Sequence, residues 1–285
     1  MQVMFQNMVE TPETFTVTAG TYQTITGGRG TVIGFNPQSF KDASGNIISS
    51  GTINIKLIEA YTPGQMILNG VTTSTTSHQL LASGGCVNIV ATYNQQEVKA
   101  NNYSISFPQP TLNDNAMSLF KGQTDNTLPG ARNVWGTDTT GTIPRTTKDS
   151  LAENNFYVFD TCLSFNWINC DHFYSAPDPK SDVKVVMPDA SYDATNTQVF
   201  VVFPDLNAVT TLYSYDAPTH TFSLGYTGYY LPVGTNIKIV VLSSKTNGTY
   251  FMDTQANISV TNGISITSNP SAATLSAIQT TLLSL

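Results

Sequence analysis

Apolar residues recur at every second position along much of this chain, and this period of two constrains its fold more than any other feature. In residues 51–59, Ile53, Ile55 and Leu57 alternate with mostly polar residues. Successive side chains of a β-strand point to opposite faces, so these three residues would share one face. The pattern predicts a strand with one buried and one solvated face.

The same alternation predicts strands elsewhere, in segments enriched in β-branched and aromatic residues. These segments span residues 31–35, 86–93, 103–107, 183–187, 198–203, 221–226, 236–242 and 249–252. Residues 257–266 predict a tight hairpin, because Asn262 and Gly263 tolerate the positive φ angles of a primed turn. The triplet Ser83, Gly84 and Gly85 predicts a turn that leads into a buried strand.

The alternation fails between about residues 122 and 150, where the chain is polar and rich in turn residues. Such a stretch is typical of a linker or a long surface loop. Because 285 residues suffice for two ordinary cores, we predict an all-β protein of two β-sandwich domains with a short C-terminal helix. The predicted parts are an N-terminal arm (1–14), a first sandwich (15–124), the linker or loop (125–150), a second sandwich (151–268) and the helix (269–285).

The predicted C-terminal helix has a start signal and an apolar stripe. Asn269 suits an N-cap, and Pro270 suits the first helical position. The apolar residues on one side of this helix are Leu275, Ile278, Leu282 and Leu285. The stripe needs a partner surface. Packing against the protein's own sandwich is favoured over docking into an assembly or an anchoring partner.

The polar surface is unusual because only 11% of the residues are charged, against roughly a quarter in ordinary soluble proteins. Thr, Ser, Asn and Gly fill the polar positions, as in secreted adhesins, cell-surface modules and virion or tail proteins. A net charge of -7 without a basic cluster argues against nucleic-acid binding. No apolar run approaches the length of a membrane span. Residues 1–8 lack the pattern of a signal peptide.

Three cysteines are too few for a disulfide scaffold. Cys162 and Cys170 could form one disulfide across a bent strand pair, although buried free thiols are favoured for both and for Cys86. Together with His172, the same pair could also contribute to a zinc site that has one further ligand. Their spacing fits no common zinc motif.

Metal and catalytic motifs are otherwise weak. His78, His172 and His220 form no His-Glu-x-x-His pattern. Two pairs of acidic residues allow calcium binding without a recognised loop motif, and we favour solvated turns for both. The pairs are Asp178 with Asp182 and Asp189 with Asp193. A hydrolase site assembled from distant residues is a further alternative.

Five tyrosines form a candidate contact surface for a glycan or another partner. Tyr213 and Tyr215 are two apart and would share one strand face, and the segment 226–230 resembles a loop. The five residues are Tyr213, Tyr215, Tyr226, Tyr229 and Tyr230. Packing at a sandwich edge with a solvated hydroxyl is the favoured alternative.

Several blocks occur in the same order as in a known family. They are residues 30–45, 51–59, 66–73, Leu80 with 83–85, 117–120 and 165–173, followed by the closing helix. Together they resemble a β-sandwich family of surface proteins and lipoproteins of Bacteroidota. More distantly, the first domain resembles the β-sandwich of netrin receptors and ankyrins, which implies a non-catalytic interaction module. The chain departs from the family at Gly34, Phe35 and His172, and no lipobox cysteine precedes the domain.

These observations predict a non-enzymatic surface or particle-associated protein that acts through protein contacts. The predicted location is extracellular or at the cell surface. A component or cargo of a phage-tail-like injection particle, made in the cytoplasm, is an alternative. A carbohydrate-binding module and a hydrolase without a recognised motif are the others.

Overall fold

The structure, a computed structural model, describes residues 1–108, 117–126, 132–139, 145–148, 155–225, 228, 230–246 and 248–285. It confirms the predicted all-β class. The helices of this part of the chain are α1 (Gln2–Met8), α2 (Pro63–Leu68) and α3 (Leu275–Leu283), with one 3-10 turn at Pro204–Leu206. No helix among these residues has both the length and the apolarity that a membrane span needs.

The first sandwich pairs a large sheet, here called inner sheet 1, with outer sheet 1. Inner sheet 1 contains β1 (Glu13–Thr18), β5 (Thr52–Ala60), β6 (Val71–Thr75), β7 (Leu81–Tyr93), β8 (Gln96–Glu97), β11 (Ser118–Asp125), β12 (Arg132–Thr139) and β15 (Asn166–Phe173). Its order is β1-β5-β7-β15-β11-β12-β6, with β8 beside β7. All its pairings are antiparallel except that of β12 with β6.

Outer sheet 1 has the order β13-β14-β10-β3-β2. Its strands are β2 (Gln23–Thr26), β3 (Val32–Phe35), β10 (Tyr103–Pro108), β13 (Arg145–Lys148) and β14 (Asn155–Cys162), and a small ribbon pairs β4 (Phe40–Lys41) with β9 (Lys99–Ala100). The predicted alternation of Ile53, Ile55 and Leu57 is confirmed, since all three are buried between the two sheets. We call this cluster the first core.

The second sandwich is built in the same way around a second core. Inner sheet 2 contains β18 (Thr197–Phe203), β19 (Ala208–Thr211), β23 (Asn236–Ser244), β24 (Tyr250–Ser259) and β26 (Ser271–Ala273), in the order β19-β18-β23-β24-β26. Outer sheet 2 contains β17 (Lys184–Val186), β20 (Ser214–Asp216), β21 (Thr221–Ser223) and β25 (Ser265–Thr267), in the order β20-β21-β17-β25. A ribbon pairs β16 (Lys180–Ser181) with β22 (Leu231–Pro232).

A third apolar cluster, the central core, lies between the two inner sheets and includes all three helices. Every residue of β18 is buried, because the strand serves two cores. Val199 and Val201 face the second core, whereas Phe200 and Val202 face the central core. A strand buried on both faces loses the alternation of polar and apolar residues. The two sandwiches therefore share an interior.

Side-chain hydrogen bonds join the inner sheets directly where β6 approaches β19. The Val209 amide donates to Thr73 Oγ1 at 2.8 Å, and that hydroxyl lies 3.1 Å from the Val209 carbonyl oxygen. Ser74 Oγ lies 2.7 Å from Thr210 Oγ1. All four residues are buried. Threonine and serine hydroxyls here satisfy polar groups that would be costly to bury alone.

The predicted turn at Ser83 is instead a β-bulge inside the 13-residue strand β7. Gly84 and Gly85 together lie opposite Cys170 of β15. Gly85 has φ +110°, and a Cβ atom there would lie 2.2 Å from the Tyr61 ring. A side chain at this position would meet both backbone strain and a steric clash.

The bulge explains how β7 contributes to two cores. Before the bulge, Leu81 packs in the central core, whereas after it Val87 and Ile89 pack in the first core. One extra residue changes which face of a strand each side chain occupies. β7 therefore contributes side chains to the first core from one face and to the central core from the other.

The structure moves the predicted domain boundary towards the C-terminus. Residues 132–139 and 145–148, predicted as part of a linker, form β12 and β13. β14 and β15, predicted in the second sandwich, pair with β10 and β7 of the first. β13 is an edge strand whose Arg-Thr-Thr-Lys sequence carries no apolar alternation, which explains the error. The predicted N-terminal arm includes α1, whose residues Met4, Phe5 and Met8 are buried.

The predicted start of the C-terminal helix is wrong. α3 begins at Leu275, and Thr274 is its N-cap, with Oγ1 accepting a hydrogen bond from the Ala277 amide at 3.1 Å. Residues 271–273 instead form β26, which pairs with β24. The residues predicted as the first turn of the helix after Pro270 therefore form an edge strand of inner sheet 2.

The predicted apolar stripe of α3 is covered by this chain itself. Ile278 and Leu282 are fully buried in the central core. Leu275 and Leu285 are partly buried and pack against the same cluster. The favoured alternative, packing on the protein's own sandwich, describes the stripe better than docking into an assembly.

The predicted hairpin at residues 257–266 is also wrong. A turn is present, since the Ile264 amide donates to the Thr261 carbonyl at 3.2 Å, but only Gly263 in it has a positive φ. The strands on either side belong to different sheets: β24 lies in inner sheet 2 and β25 pairs in parallel with β17. The segment is a corner of the second sandwich.

The central core gives a stability prediction. Replacement of Ile278 by alanine is expected to lower the free energy of unfolding by about 2–5 kcal/mol, because it leaves a cavity between the inner sheets. Leu283 lies on the same helix and is 50% exposed, so Leu283→Ala should change it by no more than about 0.5 kcal/mol. Urea unfolding of both variants measures the difference. Equal effects would contradict an integral role for α3.

Candidate binding site

A cleft of about 430 Å³ lies where the two sandwiches meet. One wall comes from the β6–β7 loop and the chain after β15, and the other comes from β16 and the residues around β22. We call it the junction cleft. Its lining includes His78, Gln79, Leu80, Tyr174, Lys180 and Tyr230. Its volume falls in the range of ligand-binding pockets.

Backbone hydrogen bonds hold both walls of the junction cleft. The Tyr174 amide donates to the Leu80 carbonyl at 3.1 Å, and the Val233 amide donates to the Pro179 carbonyl at 2.8 Å. His78 has φ +60°, and its amide donates to the Thr75 carbonyl in a tight turn. The lining side chains therefore project from tethered loops.

The junction cleft combines aromatic, neutral polar and cationic groups. The His78 ring packs on Tyr213 with centroids 4.1 Å apart. Burial lowers the pKa of His78, opposed by the charge of Asp125, so the imidazole is neutral at pH 7. Lys180 Nζ lies 4.0 Å from a carboxylate oxygen of Asp178, a mostly exposed pair of little energetic value. Such a lining suits stacking and hydrogen bonding.

The structure separates the described members of the predicted tyrosine surface. Tyr230 lines the junction cleft. Tyr213 packs behind it, with its hydroxyl 3.0 Å from Thr210 Oγ1. Tyr215 packs on Phe222, with ring centroids 4.7 Å apart. The predicted common face of Tyr213 and Tyr215 is wrong because the chain crosses there from inner sheet 2 to outer sheet 2.

Two of the predicted tyrosines, Tyr226 and Tyr229, lie outside the described residues. Tyr174 lines the cleft although no sequence pattern marked it as a contact residue. Its signal was the aromatic pair Phe173 and Tyr174 at the end of a strand, followed by a polar, proline-containing segment. That pattern predicts a strand end near the surface, but nothing in it indicates which distant loop lies opposite.

The loop of Asp189 and Asp193 already holds a cation of the protein's own. Lys245 Nζ donates to the Ser191 carbonyl and lies 3.4 Å from the centroid of the Tyr192 ring. Burial lowers the pKa of Lys245, and the charges of both aspartates oppose that effect. The Lys245 ammonium group thus supplies, at this loop, the positive charge that a bound calcium ion would have supplied.

The second acidic pair does not converge on a common point either. Asp182 accepts a hydrogen bond from the Leu224 amide at 3.1 Å, whereas Asp178 faces Lys180. Across the described ranges, no three His, Cys, Asp or Glu side chains are grouped as metal ligands would be. The predicted grouping of Cys162, Cys170 and His172 around zinc is therefore not found.

All three cysteines are free and buried, so the disulfide considered possible between Cys162 and Cys170 is not formed. Burial raises the pKa of Cys162 to about 12 and that of Cys170 well above its ordinary value. Thiols that stay protonated are poor nucleophiles and poor metal ligands. They act as small apolar groups, which was the favoured prediction.

A buried polar cluster lies beside the β7 bulge. The side chains of Ser83, Asn169 and Asp171 are buried together, with Asn169 Nδ2 donating to Asp171 Oδ2. Asp171 Oδ1 has no hydrogen-bond partner among the described residues. Burial raises the pKa of Asp171 well above its usual range, and hydrogen bonds from Ser83, Asn169 and the Gly84 backbone oppose that effect. Burial thus favours the neutral form of this carboxyl over the carboxylate.

Comparison of this chain with known protein families, curated proteins and solved structures gives no match.

Asp171 predicts an unusual pH dependence. The unfolded carboxyl loses its proton above about pH 3.9, whereas the folded one keeps it to a higher pH because burial raises its pKa. Its contribution to stability is complete below about pH 3.9 and falls as the pH rises towards the folded pKa. Asp171→Asn should therefore flatten the decline of the urea midpoint as the pH rises above about 3.9. A wild-type slope that persists in the variant would contradict this assignment.

Proposed function

We propose that this chain is a non-enzymatic structural and binding protein of a cell surface or particle, and that its junction cleft holds a segment of a partner protein. The observation that carries the proposal is the cleft itself, whose walls come from both sandwiches. Because the sandwiches share the central core, the walls keep a fixed separation. Preorganised surfaces lose less conformational entropy on binding.

The lining favours a protein segment as ligand. Tyr174 and Tyr230 are partly buried, so each offers an apolar ring and a hydroxyl at low entropic cost. Tyrosine is enriched among residues that dominate protein interfaces. Leu80 adds an apolar contact, and Gln79 and Ser175 add polar groups at the rim. A peptide has matching apolar side chains and backbone polar groups.

The location rests on composition and resemblance. A chain with only 11% charged residues, whose polar positions are filled by hydroxyl and amide side chains, is typical of proteins outside the cytoplasm or in assembled particles. The ordered blocks that resemble Bacteroidota surface proteins support the same location. Secreted, anchored and particle-bound forms would all use the cleft in the same way.

Site-specific photo-cross-linking tests the proposal. A benzophenone amino acid at Gln79, an exposed residue of the cleft rim, should give one discrete adduct with a partner in the source organism. Mass spectrometry would identify the partner. The added variant Tyr230→Ala should abolish the adduct because it removes one of the two tyrosine rings in the described lining of the cleft.

The matched control places the same probe at Ser44, in an exposed turn of the first sandwich outside the cleft. This position should not give the Gln79 adduct. Absence of any adduct at Gln79, or the same adduct at both positions, would refute the cleft as the binding site.

A further inference from the structure

A trough of about 340 Å³ crosses the outward face of outer sheet 1. Thr24 of β2 and Ser104 of β10 both pair with Gly34 of β3, so the three form one row across the sheet. Asp160 of β14 lines the end of this row, and Tyr22 lines the opposite end. Its lining and that of the junction cleft have no residue in common.

The trough exists because position 34 has no side chain. Its neighbours Ile33 and Phe35 are buried in the first core, so a side chain at 34 would point outward. A Cβ atom on Gly34 would lie 2.5 Å from Ser104 Oγ. Gly34 does not have a positive φ, so its backbone conformation does not require glycine. Glycine matters here because a side chain would occupy space in the trough.

Tyr22 gives the trough an aromatic rim. Its side chain is 81% exposed, more than any other large apolar residue described. A tyrosine ring presents a flat apolar face and a polar edge. The C–H face of a pyranose ring is also flat and apolar, whereas its edge carries hydroxyl groups. The two surfaces match in shape and polarity.

The remaining lining groups match the edge of a sugar. Thr24 and Ser104 carry hydroxyls that donate and accept hydrogen bonds, and the Asp160 carboxylate accepts them. Gln23 and Asn36 also line the trough. The Asn36 amide bonds to Asn102 and Gln38 and Gln23 Oε1 accepts from the Thr18 amide, so both side chains are held in place by the chain itself. The described lining contains no basic residue that would favour an anionic ligand.

We infer that this trough binds a neutral oligosaccharide, with the Tyr22 ring stacked on one sugar and the Thr24, Ser104 and Asp160 side chains bonded to sugar hydroxyls. A protein partner fits less well, because Tyr22 is the one large apolar side chain of the described lining that is exposed. The inference goes beyond the proposed function, which concerns a protein ligand at a different site.

An oligosaccharide array tests the inference on the whole chain. The neutral probes are cellohexaose, mannohexaose, xylohexaose and chitohexaose, and oligogalacturonate is the anionic comparison. At least one neutral probe should bind, with the affinity then measured by titration calorimetry. Tyr22→Ala should weaken that binding about tenfold or more, whereas Tyr22→Phe should retain it. Gly34→Val should weaken it similarly by filling the trough.

Tyr230→Ala is the matched control, since it removes a tyrosine from the junction cleft and should leave saccharide binding unchanged. Circular dichroism and thermal melts establish that each variant is folded. Because Tyr22 is exposed, its variants keep the test valid even if Gly34→Val fails to fold. A blank array, tighter binding of oligogalacturonate, or equal losses in Tyr22→Ala and Tyr230→Ala would each overturn the inference. The cross-linking experiment at Gln79 tests the junction cleft separately, so none of these outcomes bears on the proposed function.

Discussion

Burial of one shared apolar layer between the two inner sheets holds the rest of this structure in place. Phe200 and Val202 of β18 meet Met4 and Met8 of α1 and Ile278 of α3 in that layer. Hydrophobic burial is the largest favourable term in folding, and here it joins two sandwiches that could otherwise move about a linker. The angle between them is thereby set, and with it the geometry of the junction cleft.

The bulge in β7 places polar chemistry next to this apolar layer. At Gly84 and Gly85 the bulge changes which face of β7 the following side chains occupy, and the paired residues Ser83 and Asp171 beside it are buried. Asn207 Nδ2 then donates to the Ser83 carbonyl at 3.1 Å, which links inner sheet 2 to the bulge. Burial favours the neutral form of the Asp171 carboxyl, which is less costly to bury than a carboxylate. Side-chain amides such as that of Asn207 hydrogen-bond buried backbone groups.

The sequence predicted the fold class because half-buried strands alternate visibly, as at Ile53, Ile55 and Leu57. It did not predict the shared layer: β18 is apolar throughout, and a uniformly apolar strand does not reveal that it serves two cores. α1 is seven residues long and lacks a side-chain cap, so it had no start signal. Tyr230 was predicted as a contact residue, but the opposite wall with Tyr174 depends on tertiary structure that local patterns do not encode.

The contact between α1 and α3 affects when the protein can complete its fold. Gln279 Nε2 donates to the Met8 carbonyl at 3.3 Å, which closes a sequence separation of 271 residues. Contacts of such separation form late, because the entropy of closing a long loop must be met first. During synthesis, the apolar faces of α1 and β18 would emerge from the ribosome well before α3. Until α3 has been made, the apolar residues of α1 and β18 lack one of the elements that cover them in the folded protein.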